Sequence, residues 1–466
     1  MNTQELIFDA SLITKYDLSG PRYTSYPTAD RFVEAFGEKE YCHWLTRRTV
    51  EGGGLGLSRP LSLYVHLPFC RSICYYCACN KIITKDHGRS AKYIKYLGKE
   101  LALAAALVDG SHDVVQLHFG GGTPTFLSDD EMRHLMGQIR QHFNLLPSGE
   151  FSIEVDPRWL SRETVKLLAE LGLNRMSIGV QDFDPRVQAA VNRIQTLDET
   201  RAVIDAAREF GFKSISLDLI YGLPHQNVIS FNRTLDDVIA LAPDRLSIYN
   251  YAHLPSVAKP QRRINEADLP TPEARLQILQ LAIRKMREAG YVFIGMDHFA
   301  KPDDELAVAR RHGRLHRNFQ GYSTHADADL ISIGVSAISK VGPTYAQNVR
   351  ILDDYYDRLD NGQLPVMRGI VLSPDDLLRR AIIGSLMCHF ELSIESIEIA
   401  HLIDFKDYFR SEMERLREME ADGLLSIESQ WINVLPRGRL LVRAIAMVFD
   451  RYLRLDQERS RYSKVI

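Results

Sequence analysis

Cysteine is scarce in this chain, with six in 466 residues. So few cannot staple a fold of this size, which excludes a disulfide scaffold. No stretch approaches the roughly 18 consecutive apolar residues of a membrane-spanning helix. The opening MNTQELIFDASLITKYDLSG sets acids among apolar residues with no cationic region ahead of an apolar core, so it does not read as a secretory leader. Neither sign of charge dominates: 57 Lys and Arg face 60 Asp and Glu, a net charge of -3. Bulk charge therefore gives no reason to expect a nucleic-acid or membrane-surface partner. What remains, at 45% apolar and 25% charged residues, is an ordinary globular composition. It is long enough for one large domain and a smaller one, and is expected in the cytoplasm.

Against that scarcity, four cysteines crowd into HLPFCRSICYYCACN: Cys70, Cys74, Cys77 and Cys79. Such short spacings make poor disulfides. Buried packing thiols explain one cysteine, and suit Cys42 and Cys388, but explain four together badly. Structural zinc usually draws two pairs from separate places, and no second C-x-x-C occurs in the chain. An iron–sulfur cluster fits better, because soft thiolates on a short loop wrap one face of it. With three ligands, one iron keeps an open position.

The cluster sits in a repeating pattern. Segments rich in β-formers begin at residues 61, 114, 149, 175, 214 and 245, and helical patterns such as 89–108, 129–143 and 161–172 follow them. This alternation predicts an α/β fold, a partial (β/α) TIM-like barrel of about six parallel strands. Such barrels place their sites at the carboxyl ends of the strands. The unusual residues fall there: the cysteines, Gly120–Thr125, Glu154 and Asp156, Gln181 and Asp182, Asp218 and Tyr221, and Asn250–His253. The expected division is an N-terminal arm over 1–40, a barrel over 41–350, and a mainly helical, winged-helix-like domain over 351–466. Acids alternate with the arginines of SEMERLREMEAD, which argues against a DNA-reading helix in that last part.

Cys70-x3-Cys74-x2-Cys77 resembles the motif of radical S-adenosylmethionine (SAM) enzymes. Those enzymes bind a 4Fe–4S cluster through three cysteines and cleave SAM to a 5′-deoxyadenosyl radical. PRYTSYPTADRF, CACNK, HFGGGTPT, EVDPR, GVQDFDP, LDLIYGLP, YNYAHLP and LHRNFQGYSTHADADLISIGVSAIS extend the likeness from about residue 20 to the final residue. Together they resemble the oxygen-independent coproporphyrinogen III oxidase family. That resemblance implies oxidative decarboxylation of two propionates of coproporphyrinogen III to vinyl groups, giving protoporphyrinogen IX for haem synthesis. It implies a low-potential electron donor of the flavodoxin or ferredoxin class, and a monomer.

Carried over by position, Cys70, Cys74 and Cys77 would ligate the cluster, and Cys79 would not. Tyr64, Gly121, Glu154 and Ile338 match residues that contact the cluster-bound SAM, Glu154 through the ribose. Tyr76, Gly122, Thr123, Gln181, Arg193, Asp218 and Ala252 match a second SAM site. Beyond the cluster and SAM, no catalytic side chain is implied. A related haem chaperone lacks the fourth cysteine and the PRYTSYPT stretch, and this chain has both. PRYTSYPT reads as an extended surface arm, with Arg22 and Tyr23, like Lys301 and Arg317, available to substrate carboxylates.

Overall fold

Strand formation follows from near-continuous apolar runs. β1 (Leu61–Leu67, LSLYVHL) is buried at every position but one. That is the pattern of a strand covered on both faces, as parallel sheets are. The structure, a computed structural model, describes residues 6–51, 59–326 and 328–455. Two units divide the chain. One gathers Met1–Arg31, Leu276–Ala326 and Leu372–Ile466, and the larger holds Phe32–Arg275 and Asp327–Val371. The contiguous blocks 1–40, 41–350 and 351–466 cut across these units.

In the larger unit β1 is followed by β2 (Asp113–Gly121), β3 (Asn144–Val155), β4 (Arg175–Gln181), β5 (Ser214–Tyr221) and β6 (Arg245–Asn250). Each lies parallel to the one before it. These are the six expected strands of the partial barrel. A seventh parallel strand was not foreseen: β7 (Asp329–Ile333) pairs with the other edge of β1, Leu61 opposite Asp329. Beyond it β8 (Ile338–Val341), β9 (Thr344–Asn348) and β10 (Val366–Val371) continue antiparallel.

The intervening helices start where side-chain caps satisfy their free amides. Ser128 and Glu131 form a reciprocal box before Asp129–His142, and Thr196 and Glu199 do so before Leu197–Glu209. Ser161 accepts from the Thr164 amide before Arg162–Glu170. Leu63, Val65, Leu117, Phe119, Ile153, Ile178 and Leu217 are fully buried between helices and sheet. At the amino end of the strands Arg48 pairs with Asp329 at 3.0 Å, and also donates to the carbonyls of Asp109, Ser111 and Arg59. Breaking such a buried pair from one side costs on the order of 3–5 kcal/mol.

The other unit corrects the reading of the arm. Tyr23 and Tyr26, in PRYTSYPT, are 5% and 2% exposed and belong to this unit's interior. The Tyr23 hydroxyl donates to Asp450 at 3.0 Å, and Arg22 pairs with Asp297. A tyrosine supplies apolar area and a hydroxyl together, so the stretch packs although its composition looks polar. Helices Pro374–His389, Ile394–His401 and Arg410–Ala421 accompany a three-stranded antiparallel sheet, with Trp431–Val434 between Glu391–Ser393 and Leu425–Ile427. Cys388 is buried there, as a packing thiol is expected to be.

Candidate functional site

The cysteine loop leaves β1 and is pinched at its neck. Phe69–Cys70 pair parallel with Ile82–Ile83, and the Ile82 amide donates to the Pro68 carbonyl at 2.7 Å. Phe69, wholly buried, packs against Tyr93 and Phe126 and fixes the neck to the barrel. Inside the loop the Cys77 amide donates to the Cys74 carbonyl at 3.2 Å, and Lys81 Nζ donates to the Cys77 carbonyl at 3.0 Å. Gln261 ties the loop to the segment after β6, because its Nε2 donates to the carbonyls of Tyr76 (3.0 Å) and Ala252 (3.1 Å). Burial pushes the Cys70 thiol up to about 11 against a hydrogen bond from Thr123. A hydrogen bond from Cys79 brings Cys77 down to about 6, and Cys79 rises in return.

Gly120–Gly122 close β2 against this loop. A Cβ on Gly122 would sit 2.6 Å from the Pro68 carbonyl carbon and 2.7 Å from the Phe69 oxygen. Gly121 has φ 112°, and a Cβ there would meet the His66 ring at 2.5 Å. The glycines let the chain approach itself: the Gly122 and Thr123 amides donate to the Leu67 and Phe69 carbonyls, both at 2.8 Å. Thr123 Oγ1 is then 3.6 Å from Cys70 Sγ.

Glu154, late in β3, accepts from the Gly121 amide and pairs with His118 Nε2, each at 3.3 Å. Burial raises its pKa, but His118 and the Gly121 amide outweigh that and hold the carboxyl below its ordinary value. With 44% of its side chain exposed, it faces open space. His118 is fixed from behind by Ser152 at 2.6 Å and by the Tyr64 ring stacked on it. Tyr64 Oη lies 3.1 Å from His66 Nδ1. Asp218 in β5 is pushed up to about 6 by burial, against hydrogen bonds from Ser177 and Ser247. Gln181 ends β4 at φ 68°, a strained conformation for a non-glycine residue, where the register with β5 shifts.

Eleven expected residues meet in one cavity of about 320 Å³: Cys70, Cys74, Tyr76, Cys77, Gly121, Gly122, Thr123, Glu154, Gln181, Arg193 and Asp218. Three do not line it. Tyr64 stacks on His118, and Gln261 bridges the carbonyls of Ala252 and Tyr76. Ile338 opens β8, its carbonyl accepting from Ser332 at 2.6 Å.

The sequence places Asp156 at a strand end and matches Arg193 to a second SAM site, but does not show that the two join Arg158 in one ion group on the same wall. Asp156 accepts from Arg158 at 2.6 Å and from Arg193 at 3.2 Å, and Arg193 Nη1 is 3.8 Å from Cys74 Sγ. The Arg158 hydrogen bonds and the Arg193 charge hold Asp156 below the usual carboxylate range although burial opposes them. Lys81, Trp159 and Tyr249 also line the cavity. The available signal was EVDPR, where an acid and a base flank a proline at a strand end.

The donor set fits an iron–sulfur cluster with a polar organic ligand: the four thiols of Cys70, Cys74, Cys77 and Cys79 share the wall, and Arg193 Nε and Thr125 Oγ1 are buried there without a hydrogen-bond partner. Among the described residues no group of three or more His, Cys, Asp or Glu side chains is arranged to hold a single metal ion. No helix among them is long and apolar enough to cross a membrane.

The model of the radical SAM superfamily matches residues 64–238, and that of the HemN C-terminal domain matches 372–441. The chain is 54% identical to the oxygen-independent coproporphyrinogen III oxidase of Pseudomonas aeruginosa, covering 98% of this chain and 99% of that one. It is 48% identical to the enzyme of the same name from Escherichia coli K12 over the full length of both. Among solved structures, the Escherichia coli coproporphyrinogen III oxidase, described as a radical SAM enzyme, superposes with a TM-score of 0.91 at 47% identity. That alignment covers 97% of this chain and all of the other.

Proposed function

The chain belongs to the oxygen-independent coproporphyrinogen III oxidase family of the radical SAM superfamily, and from that membership we infer the work of its cavity. It is an oxidoreductase of haem biosynthesis that carries a 4Fe–4S cluster and SAM, and it oxidises coproporphyrinogen III without oxygen. When bound, the cluster would supply the electron for reductive cleavage of SAM; the 5′-deoxyadenosyl radical would take a hydrogen atom from a propionate β-carbon, and the substrate radical would then pass one electron to an external one-electron acceptor and release CO2 to leave the vinyl group.

The observation that carries the assignment of residues is the convergence of the cysteine loop's four thiols with eight SAM-matching residues on one cavity; the Cys70-x3-Cys74-x2-Cys77 spacing picks the three ligands among them. Cys70, Cys74 and Cys77 hold the cluster, and Cys79 serves as hydrogen-bond partner to Cys77. Glu154, ionised and open to the cavity, accepts from the ribose hydroxyls of SAM, and the Gly121 turn orients it. Tyr64 acts through His118, which it stacks on. Ile338 borders the first SAM through its backbone, outside the cavity wall described above. Tyr76, Gly122, Thr123, Gln181, Arg193, Asp218 and Ala252 bind a second SAM or the part of the tetrapyrrole that takes its place. The Arg193–Asp156–Arg158 group positions the Cys74 end of the loop.

The enzyme works as a cytoplasmic monomer, reduced by a flavodoxin- or ferredoxin-class donor, with no nucleic-acid or membrane partner. Anaerobic turnover of substrate deuterated at the propionate β-carbon tests the function. Deuterium should enter 5′-deoxyadenosine, and one CO2 should appear per vinyl group. Unlabelled nucleoside, or SAM cleavage with no vinyl product under a competent reductant, would refute it.

A further inference from the structure

We propose that Arg193 and Thr123, beyond any contact with SAM, set the reduction potential of the 4Fe–4S cluster by hydrogen-bonding to the sulfurs of two of its ligands, Cys74 and Cys70. The inference rests on the assignment of Cys70, Cys74 and Cys77 as those ligands. Arg193 Nη1 donates to Cys74 Sγ at 3.8 Å, and Thr123 Oγ1 donates to Cys70 Sγ at 3.6 Å. Backbone contacts aim both donors. Thr123 opens the short helix Pro124–Phe126, and its amide donates to the Phe69 carbonyl at 2.8 Å, next to Cys70. Arg193 Nη2 donates to the Gly179 carbonyl at 2.6 Å, while Nη1 also reaches Asp156 at 3.2 Å.

At Cys74 charge adds to the hydrogen bond. Arg158 and Arg193 share the one carboxylate of Asp156, so the group keeps a net positive charge beside the sulfur. All three side chains are almost wholly buried, and little water screens that charge. When the cluster is reduced, an external donor gives up one electron, and the unit of iron, sulfide and thiolates gains one negative charge. Part of that charge falls on the ligand sulfurs. A cation and hydrogen-bond donors fixed at those sulfurs favour the reduced form and so raise the potential. The consequence is a cluster that a low-potential donor can reduce.

The test is a redox titration of anaerobically reconstituted full-length protein without SAM, followed by electron paramagnetic resonance. Leaving SAM out separates this role from the binding of a second SAM. At a fixed poise, Arg193→Gln should lower the ratio of reduced to oxidised cluster about tenfold, which is about 59 mV in a one-electron couple. Thr123→Val keeps the shape and loses a neutral donor, and should lower the ratio about threefold. Arg193→Lys keeps the charge and should fall between, and Thr123→Ser restores the hydroxyl and should restore the potential. Arg133→Gln removes an exposed charge on helix Asp129–His142 and should leave the potential where it is. If Arg193→Gln and Thr123→Val keep the unaltered potential, the proposal is overturned, and a fall in their SAM affinity would assign both residues to SAM alone. A shift as large in Arg133→Gln overturns it too, as an effect of net charge. Should Arg193→Gln fail to load iron, Thr123→Val against Thr123→Ser decides it. The ligand assignment stands or falls separately, on the iron content of Cys70→Ser.

Discussion

Removing the Asp156 carboxylate should damage the cysteine loop without touching a cysteine. Asp156, Arg158 and Arg193 are 8%, 11% and 8% exposed in their side chains, and the one carboxylate lies between two guanidinium groups. Asp156→Ala leaves both cations with no carboxylate between them, at a cost on the order of 3–5 kcal/mol for a broken buried pair. Arg193 also contacts Cys74 Sγ and donates to the Gly179 carbonyl at 2.6 Å, so its displacement reaches the loop directly. Amide exchange across residues 70–83 should accelerate on the order of a hundredfold or more, as a local opening energy falls by about 3 kcal/mol. Iron per chain should drop after reconstitution. Arg158→Ala added to Asp156→Ala removes one of the stranded cations and should recover part of the loss, a non-additivity that a simple packing defect would not give. If Asp156→Ala keeps its iron and its loop protection, or if the second change only adds damage, the three charges do not act as one unit.

Four further outcomes are expected. Cys70→Ser, Cys74→Ser and Cys77→Ser should each abolish iron binding while Cys79→Ser retains it; iron analysis of anaerobic preparations reads this, and iron lost from Cys79→Ser alone would reverse the assignment. Glu154→Ala should weaken SAM binding by about 3 kcal/mol, two hydrogen bonds to a charged acceptor, with the cluster intact; calorimetry finding no change would leave Glu154 as a prop for His118. Gly122→Ala forces a Cβ onto the Pro68–Phe69 backbone, which cannot swing aside as a side chain would, and should cost about 1–3 kcal/mol and iron occupancy together. Glu100 is buried with donors from Tyr355, Asn348 and Gly334, and burial lifts its pKa from 4.5 to about 7. A raised carboxylate favours the protonated fold, so stability should fall as pH rises from 4.5 to about 7 and level off above; Glu100→Gln should flatten that slope in denaturation series across the window.

The six parallel strands were legible because each is a short apolar run, and capping pairs such as Ser128 with Glu131 mark the helix starts in between. β7 was not legible as a barrel strand: its place beside β1 depends on a pairing between Leu61 and Asp329, and nothing local in DLISI records it. The cysteine spacing and the lone acid in FSIEV pointed to the site, since each is out of place in its own segment. The pairing of Asp156 with Arg158 and Arg193 was not legible because Arg193 joins it from 37 residues further along the chain, after β4, and three ordinary charges carry no spacing signature. The glycine run was recognised, but for ligand approach, whereas Gly122 is required by the backbone of the neighbouring loop.

The threading of the chain through its two units sets a timetable for synthesis. Tyr23 waits for Asp450, 427 residues further on, and β1 lacks one flanking strand until Asp329 has been made. At roughly 5–20 residues per second a ribosome needs on the order of 20–90 s to supply that last partner. Until then the tyrosines of the first segment and the open edge of β1 stand uncovered on the nascent chain. Synthesis of the segment around Asp450, more than any local step, therefore governs when the smaller unit can close.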